Sequence, residues 1–175
     1  FLVLLEEACR ETRDRAAIPI AYRVVSRGAE AAGFCKTDAP ANVLPVEKTV
    51  TQMRNHLSNV KIHHERGNQA DWRREVGSFE KELREGWERA VEQVVSPVIK
   101  RLKTKVYTDG LIQLTILEAE DCETMREAYG RCSKLLHSQP GELNQRLPTP
   151  QQIEDEIVAL ENWLSNIRNR QDQVA

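Results

Sequence analysis

Hydrophobic positions along this chain recur at helical spacing over most of its length. At Val46, Val50, Met53, Leu57 and Val60 the interval alternates between four and three residues, the seam of a coiled coil or of a long hairpin helix. The polar run His63-His64-Glu65-Arg66-Gly67-Asn68 then ends it, which predicts a helix over Val46–His63. A second stripe, Val76, Phe79, Leu83, Trp87, Val91, Val94 and Val98, predicts a helix over Asp71–Arg101, with Pro97 kinking or breaking it near its end. Opposing apolar stripes joined by a short polar turn favour antiparallel pairing, with Leu57 and Val60 facing Val76 and Phe79.

The remainder follows the same logic. Leu111 to Leu117 fits a short helix or an apolar connector equally well. Met125, Ala128, Tyr129, Cys132, Leu135 and Leu136 form a further helical stripe, which Ser138-Gln139-Pro140-Gly141 ends. The last helix carries the strongest local signals. Thr149 caps it, Pro150 takes the first helical position, Gln152 completes a capping box, and Ile153, Ile157, Leu160, Leu164 and Ile167 form its buried stripe. Toward the other end, residues 1–15 read as a helix with a charged far end. Ile18, Ile20, Tyr22 and Val24 then alternate as an edge strand over 18–25, edge because Pro19 has no amide donor. Gly28, Gly33, Pro40 and Pro45 mark 26–45 as turns and loop. The chain opens on Phe1, already inside an apolar helix and without a capping residue, so a fragment of a longer protein is expected. The pattern divides it into an N-terminal piece, 1–45, and a helical domain, 46–175.

Composition narrows the function classes. At 175 residues, 40% hydrophobic and 30% charged, the chain can bury one modest core. Its longest purely apolar run, Phe1 to Leu5, is far below the ~20 residues of a bilayer span, so a cytoplasmic protein without membrane contact is expected. With 25 basic and 27 acidic residues the net charge is −2. Any nucleic-acid contact must therefore be local. Cys9, Cys35, Cys122 and Cys132 show no C-x-x-C spacing, which points to reduced, mostly buried thiols rather than a zinc ribbon or redox pair. His63-His64-Glu65 lacks a second ligand set and reads as a solvated turn rather than a metal site.

Four residues carry candidate chemistry. Arg84 and Glu88 are one helical turn apart, so they share a face beside Leu83, Trp87 and Val91. An ordinary surface ion pair accounts for that spacing; so does an arginine that neutralises phosphate beside a carboxylate that orients a histidine. His137 follows the apolar stretch where its helix should end. An imidazolium there complements the helix dipole by ~0.3–1 kcal/mol, yet a histidine near neutral pKa is also suited to take the proton from a ribose 2′-OH. Arg131 precedes His137 by six residues. On an ideal helix that sets the two well apart around the axis, and they meet only if the helix loosens.

Arg84-x-x-x-Glu88 with a downstream histidine, and Arg131-x(5)-His137, resemble the HEPN ribonuclease superfamily. More narrowly they are similar to the bacterial anticodon nucleases of the PrrC and RloC types, in which an Arg-x-x-x-Glu…His triad lies C-terminal to an ABC-type ATPase. FLVLLEEACRE looks like the helix that follows the switch loop of an ABC/SMC-like ATPase head, in proteins labelled AAA family ATPases. LREGWERAVEQVV, RCSKLLHSQ and the final helix look like the tail of those proteins. Cys132 departs from the pattern, since many active members place a small polar residue after that arginine.

The resemblance implies a mainly α fold: antiparallel long helices and a HEPN-like helical bundle, with a short β remnant of the ATPase sheet near the N-terminus. It implies that Arg84 stabilises the phosphate, Glu88 orients and His137 is the acid and base, with Arg131 the arginine the broader superfamily pattern would select. The implied activity is metal-independent cleavage of RNA, with transfer RNA one candidate class of substrate, in phage defence or stress response. The chain contains no G-x-x-x-x-G-K-[ST] loop, so ATP and Mg would be held upstream and no cofactor by these residues. The alternative is a non-catalytic helical tail that forms a homo-oligomer or docks a partner nuclease.

Overall fold

In the computed structural model the described residues are 44–100, 105–136 and 147–175, with the strands 24–25 and 35–36; for those strands and for 133–136 the description is of the backbone alone. The chain divides into two compact units, Phe1–Leu44 and Pro45–Ala175. In the first, strand β1 (Val24–Val25) pairs antiparallel with β2 (Cys35–Lys36), Val24 opposite Lys36 and Val25 opposite Cys35. The second strand falls inside the stretch expected to be turns and loop. Two apolar residues, Phe34 and Cys35, flanked by Gly33 and Lys36 are too short a run for a period to show. The helix expected over 1–15, and most of the strand expected over 18–25, lie outside the described residues.

The second unit is a bundle of four helices: α1 (Val46–Glu65), α2 (Gln69–Val95), α3 (Ala119–Leu136) and α4 (Pro150–Val174). Between α1 and α2 the chain turns at Gly67, whose φ of 68° is a left-handed conformation that glycine adopts without penalty. The Gly67 amide donates to His64 O and the Asn68 amide to His63 O, satisfying carbonyls at the end of α1. Asn68 then caps α2 through the Asp71 amide. The pairing is antiparallel as the stripes require. The His56 ring lies 4.8 Å from Phe79 and the His64 ring 5.4 Å from Trp72. Leu57, Val76 and Phe79 are buried, and Val60 packs half-buried against the same core.

Helix α2 ends at Val95, short of the expected Arg101. Pro97 has no amide to donate and its ring crowds the carbonyl four residues back. Val98 nevertheless stays in the apolar series, because the chain turns and buries it outside the helix. Ile99 then forms an antiparallel bridge with Val106, and the Tyr107 amide donates to Val98 O at 2.9 Å. The ambiguous segment before α3 is a 3-10 helix, Thr108–Leu114. Gly110 seats it against Pro97: a Cβ at Gly110 would collide with Pro97 O and lie 2.5 Å from Pro97 C. Backbone atoms cannot step aside as a side-chain tip can. Gly110→Ala is therefore expected to lower stability by about 1–3 kcal/mol, the usual cost of overpacking, seen as a lower urea midpoint with unchanged slope. A midpoint equal to the parent's would show that this contact yields freely.

The last helix ties the bundle together. Thr149 and Gln152 form the expected capping box, with Pro150 at the start. Arg54 of α1 donates to Glu154 and Glu161 of α4, each at 2.8 Å, and Arg168 pairs with Glu47, so α1 and α4 run antiparallel. Trp72 Nε1 donates to Pro148 O at one end, the Trp87 and Trp163 rings meet at 5.4 Å in the middle, and Gln171 Nε2 donates to Val94 O at the other. Helices α2 and α4 are thus parallel. An ideal Cβ on Gly86 would stand 2.8 Å from Leu160 Cδ2, a measure of how closely they approach. Trp72, Phe79, Trp87, Ile157, Leu160 and Ile167 are fully buried, each contributing about 1.5–3 kcal/mol through removal from water.

Candidate functional site

Positions 80, 84 and 88 recur every four residues along the face of α2 that meets α3. Arg84 and Glu88 lie where that face emerges into solvent. Arg84 Nε is 3.3 Å from Glu88 Oε1, as the spacing predicts. A third group closes the arrangement. Tyr129 of α3 accepts from Arg84 Nε at 3.1 Å and donates to Glu88 Oε1 at 2.8 Å, with the Arg84 guanidinium 5.6 Å from the centre of its ring. The hydrogen bonds to Tyr129 and Glu88 hold the guanidinium above its ordinary pKa. Both bonds leave from Nε.

Tyr129 was legible only as a member of the α3 core stripe. Its ring does pack half-buried against the core. The missed signal is chemical: a tyrosine in an aliphatic stripe carries a hydroxyl that must find a polar partner at the edge of that stripe.

Arg131 takes a different partner. It donates through Nε to Glu156 Oε1 at 2.7 Å and through Nη2 to Glu156 Oε2 at 3.1 Å. This two-bond fork on α4 raises its pKa and keeps it off the Arg84–Glu88 pair. Two residues beyond Tyr129, Arg131 points about 200° further round the helix. His137 lies outside the described residues. The described helix ends at Leu136, seven residues past Tyr129 and so about 10 Å along the axis at 1.5 Å per residue. Because α3 runs antiparallel to α2, that end lies toward Glu80.

Near that end two groups are strongly perturbed. Burial pushes the Glu80 carboxyl up to about 7, and its Oε1 has no hydrogen-bond partner among the described residues. Burial, then the nearby carboxylates of Glu156 and Glu80, push the Cys132 thiol up to about 11. A thiol so protonated is a poor nucleophile. Cys122, by contrast, is exposed; Cys9 and the side chain of Cys35 lie outside the described residues. Trp87 Nε1 is likewise buried without a partner among the described residues.

The histidines of the α1–α2 turn diverge. His63 Nδ1 lies 3.8 Å from Asp71 Oδ2, whereas His64 stands edge-on to Trp72. Among the described residues no group of three or more His, Cys, Asp or Glu is arranged to hold a metal ion, and no helix is long and apolar enough to cross a membrane. A groove of about 580 Å³ between the start of α3 and α4, lined by Asp121, Asn162, Asn166 and Arg170 among others, includes none of Arg84, Glu88 and Tyr129. Compared with protein-family models, curated proteins and solved structures, the chain gives no match.

Proposed function

We propose that the helical unit is the nuclease portion of an ATPase-coupled, metal-independent ribonuclease of the anticodon-nuclease kind, acting in the cytoplasm in phage defence or stress response. The observation that carries this reading is the closed network of Arg84, Glu88 and Tyr129 at the exposed seam of α2 and α3. It joins a permanently charged planar fork to a carboxylate, which supports Arg84 over Arg131 as the phosphate-stabilising arginine. In the proposed reaction His137 removes the ribose 2′-OH proton, the 2′ oxygen forms a bond to phosphorus, and the bond from phosphorus to the 5′ oxygen breaks. The leaving oxygen takes a proton from the imidazolium, giving a 2′,3′-cyclic phosphate and a 5′-OH. Arg84 neutralises the charge that builds on the phosphorane, and Glu88 orients the imidazole. ATP and Mg belong to the ATPase part of the full-length protein, which restrains the nuclease until released. Substitution of these residues with RNA cleavage as the readout is the test.

A second reading, a helical tail that forms a homo-oligomer or docks a partner nuclease, is favoured by a different observation. Ile99, Val106, Leu111 and Ile112 are each more than half exposed, and the bridge from Ile99 to Val106 with Gly110 seated on Pro97 gathers them into one substructure. A second copy of the chain is the occupant this reading expects. Val106→Asp with Ile112→Asp should then convert a dimer to a monomer in sedimentation equilibrium. A parent protein that is already monomeric at high concentration contradicts it.

A further inference from the structure

Tyr129 carries no role in the proposed reaction, yet among the described residues it is the one group shown to touch both Arg84 and Glu88 from another helix. We infer that Tyr129 is a positioning residue that fixes the Arg84–Glu88 pair in the geometry a phosphodiester requires; the inference rests on the nuclease reading for its catalytic consequence, though not for its geometry. An exposed ion pair on one helix turn is loose, because two long side chains lose rotamer freedom for a small gain in high dielectric. Tyr129 changes that. Its ring is packed against the core, and it has only two side-chain torsions to order, so its hydroxyl is presented from a rigid base.

The hydrogen-bond direction is also determined. A guanidinium has donors and no lone pair, so the single hydroxyl proton of Tyr129 must go to Glu88 Oε1, and its lone pair receives the Arg84 Nε–H. Drawing charge out of the carboxylate in this way reduces its competition for Arg84. Removing the hydroxyl alone should cost catalysis and little stability, because the ring, its packing and its position over the guanidinium remain.

The experiment compares Tyr129→Phe, Glu88→Gln and the double variant in the full-length protein, with RNA cleavage, thermal unfolding and the NMR exchange rate of the Arg84 Nε–H with water as readouts. Tyr129→Phe should lower kcat on the order of ten- to a hundredfold, the scale of a misplaced catalytic group, with KM and the unfolding midpoint unchanged. Because Tyr129 acts through the Arg84–Glu88 pair, the double variant should lose less than the product of the two single losses; fully multiplied losses would overturn the inference. The Arg84 Nε–H should exchange several-fold faster in Tyr129→Phe. An unchanged exchange rate also overturns it, whether or not the protein cuts RNA. Loss of cleavage in Arg84→Ala and His137→Ala with full activity in Tyr129→Phe would remove Tyr129 and leave the nuclease reading standing. Full activity in Arg84→Ala and His137→Ala would remove the nuclease reading, and the exchange rate then decides the positioning role alone.

Discussion

His137→Ala in the full-length protein is expected to abolish RNA cleavage while leaving the fold intact. Losing a general base costs ~10²–10⁴ in rate, whereas an imidazole at the helix end that the sequence predicts contributes only ~0.3–1 kcal/mol to stability through the dipole. Arg84→Lys should fail as well, because a point ammonium replaces a planar fork that matches phosphate geometry. Glu88→Gln should cost less than Glu88→Ala, since the amide still accepts a hydrogen bond but does not stabilise the imidazolium. Arg131→Lys should have little effect, because Arg131 is committed to Glu156 on the far side of α3. These variants are read by cleavage of RNA in vitro and by toxicity in cells. A fully active His137→Ala or Arg84→Lys would move the reading to the oligomerising tail.

The largest expected effect on stability is a pH dependence centred on Glu80, which is only 7% exposed and lacks a partner for Oε1 among the described residues. Its folded-state pKa, raised by burial from 4.5 to about 7, means the folded protein keeps this proton where the unfolded chain has released it. Between those values the unfolded state binds fewer protons, so stability falls as pH rises through the window. The contribution is most favourable below 4.5 and levels off above about 7. At about 1.4 kcal/mol per unit, the difference is on the order of 3 kcal/mol. Glu80→Gln should flatten it. In urea unfolding the variant should match the parent near pH 4.5 and exceed it at pH 8. Parallel pH profiles for parent and variant would show that Glu80 titrates normally.

Local signals explain which elements were legible. The capping box of Thr149 and Gln152 needs only four consecutive residues, and the α1 and α2 stripes need only one helix each. The end of α2 was misplaced because Val98 continues the period although the helix has stopped. Its burial comes from tertiary packing, which the period cannot distinguish from a further turn of helix. The candidate site divides in the same way. Arg84 and Glu88 are neighbours on one helix turn and were visible as a pair. Glu156, which takes Arg131, is on another helix 25 residues away in sequence, and no spacing rule reaches it. Tyr129 hid inside the apolar stripe of α3, and Glu80 hid beside Phe79 at the edge of the α2 stripe, where a carboxylate is ordinarily assumed to reach water.

The proposed chemistry has one product signature, and end-group analysis of RNA cut by the full-length protein in the presence of EDTA reads it directly. Transfer of phosphate to the neighbouring 2′ oxygen should give fragments with 2′,3′-cyclic phosphate and 5′-OH ends at an undiminished rate, and none when His137 is alanine. Fragments with 3′-OH and 5′-phosphate ends, or cleavage that disappears with the chelator, would contradict catalysis by Arg84, Glu88 and His137.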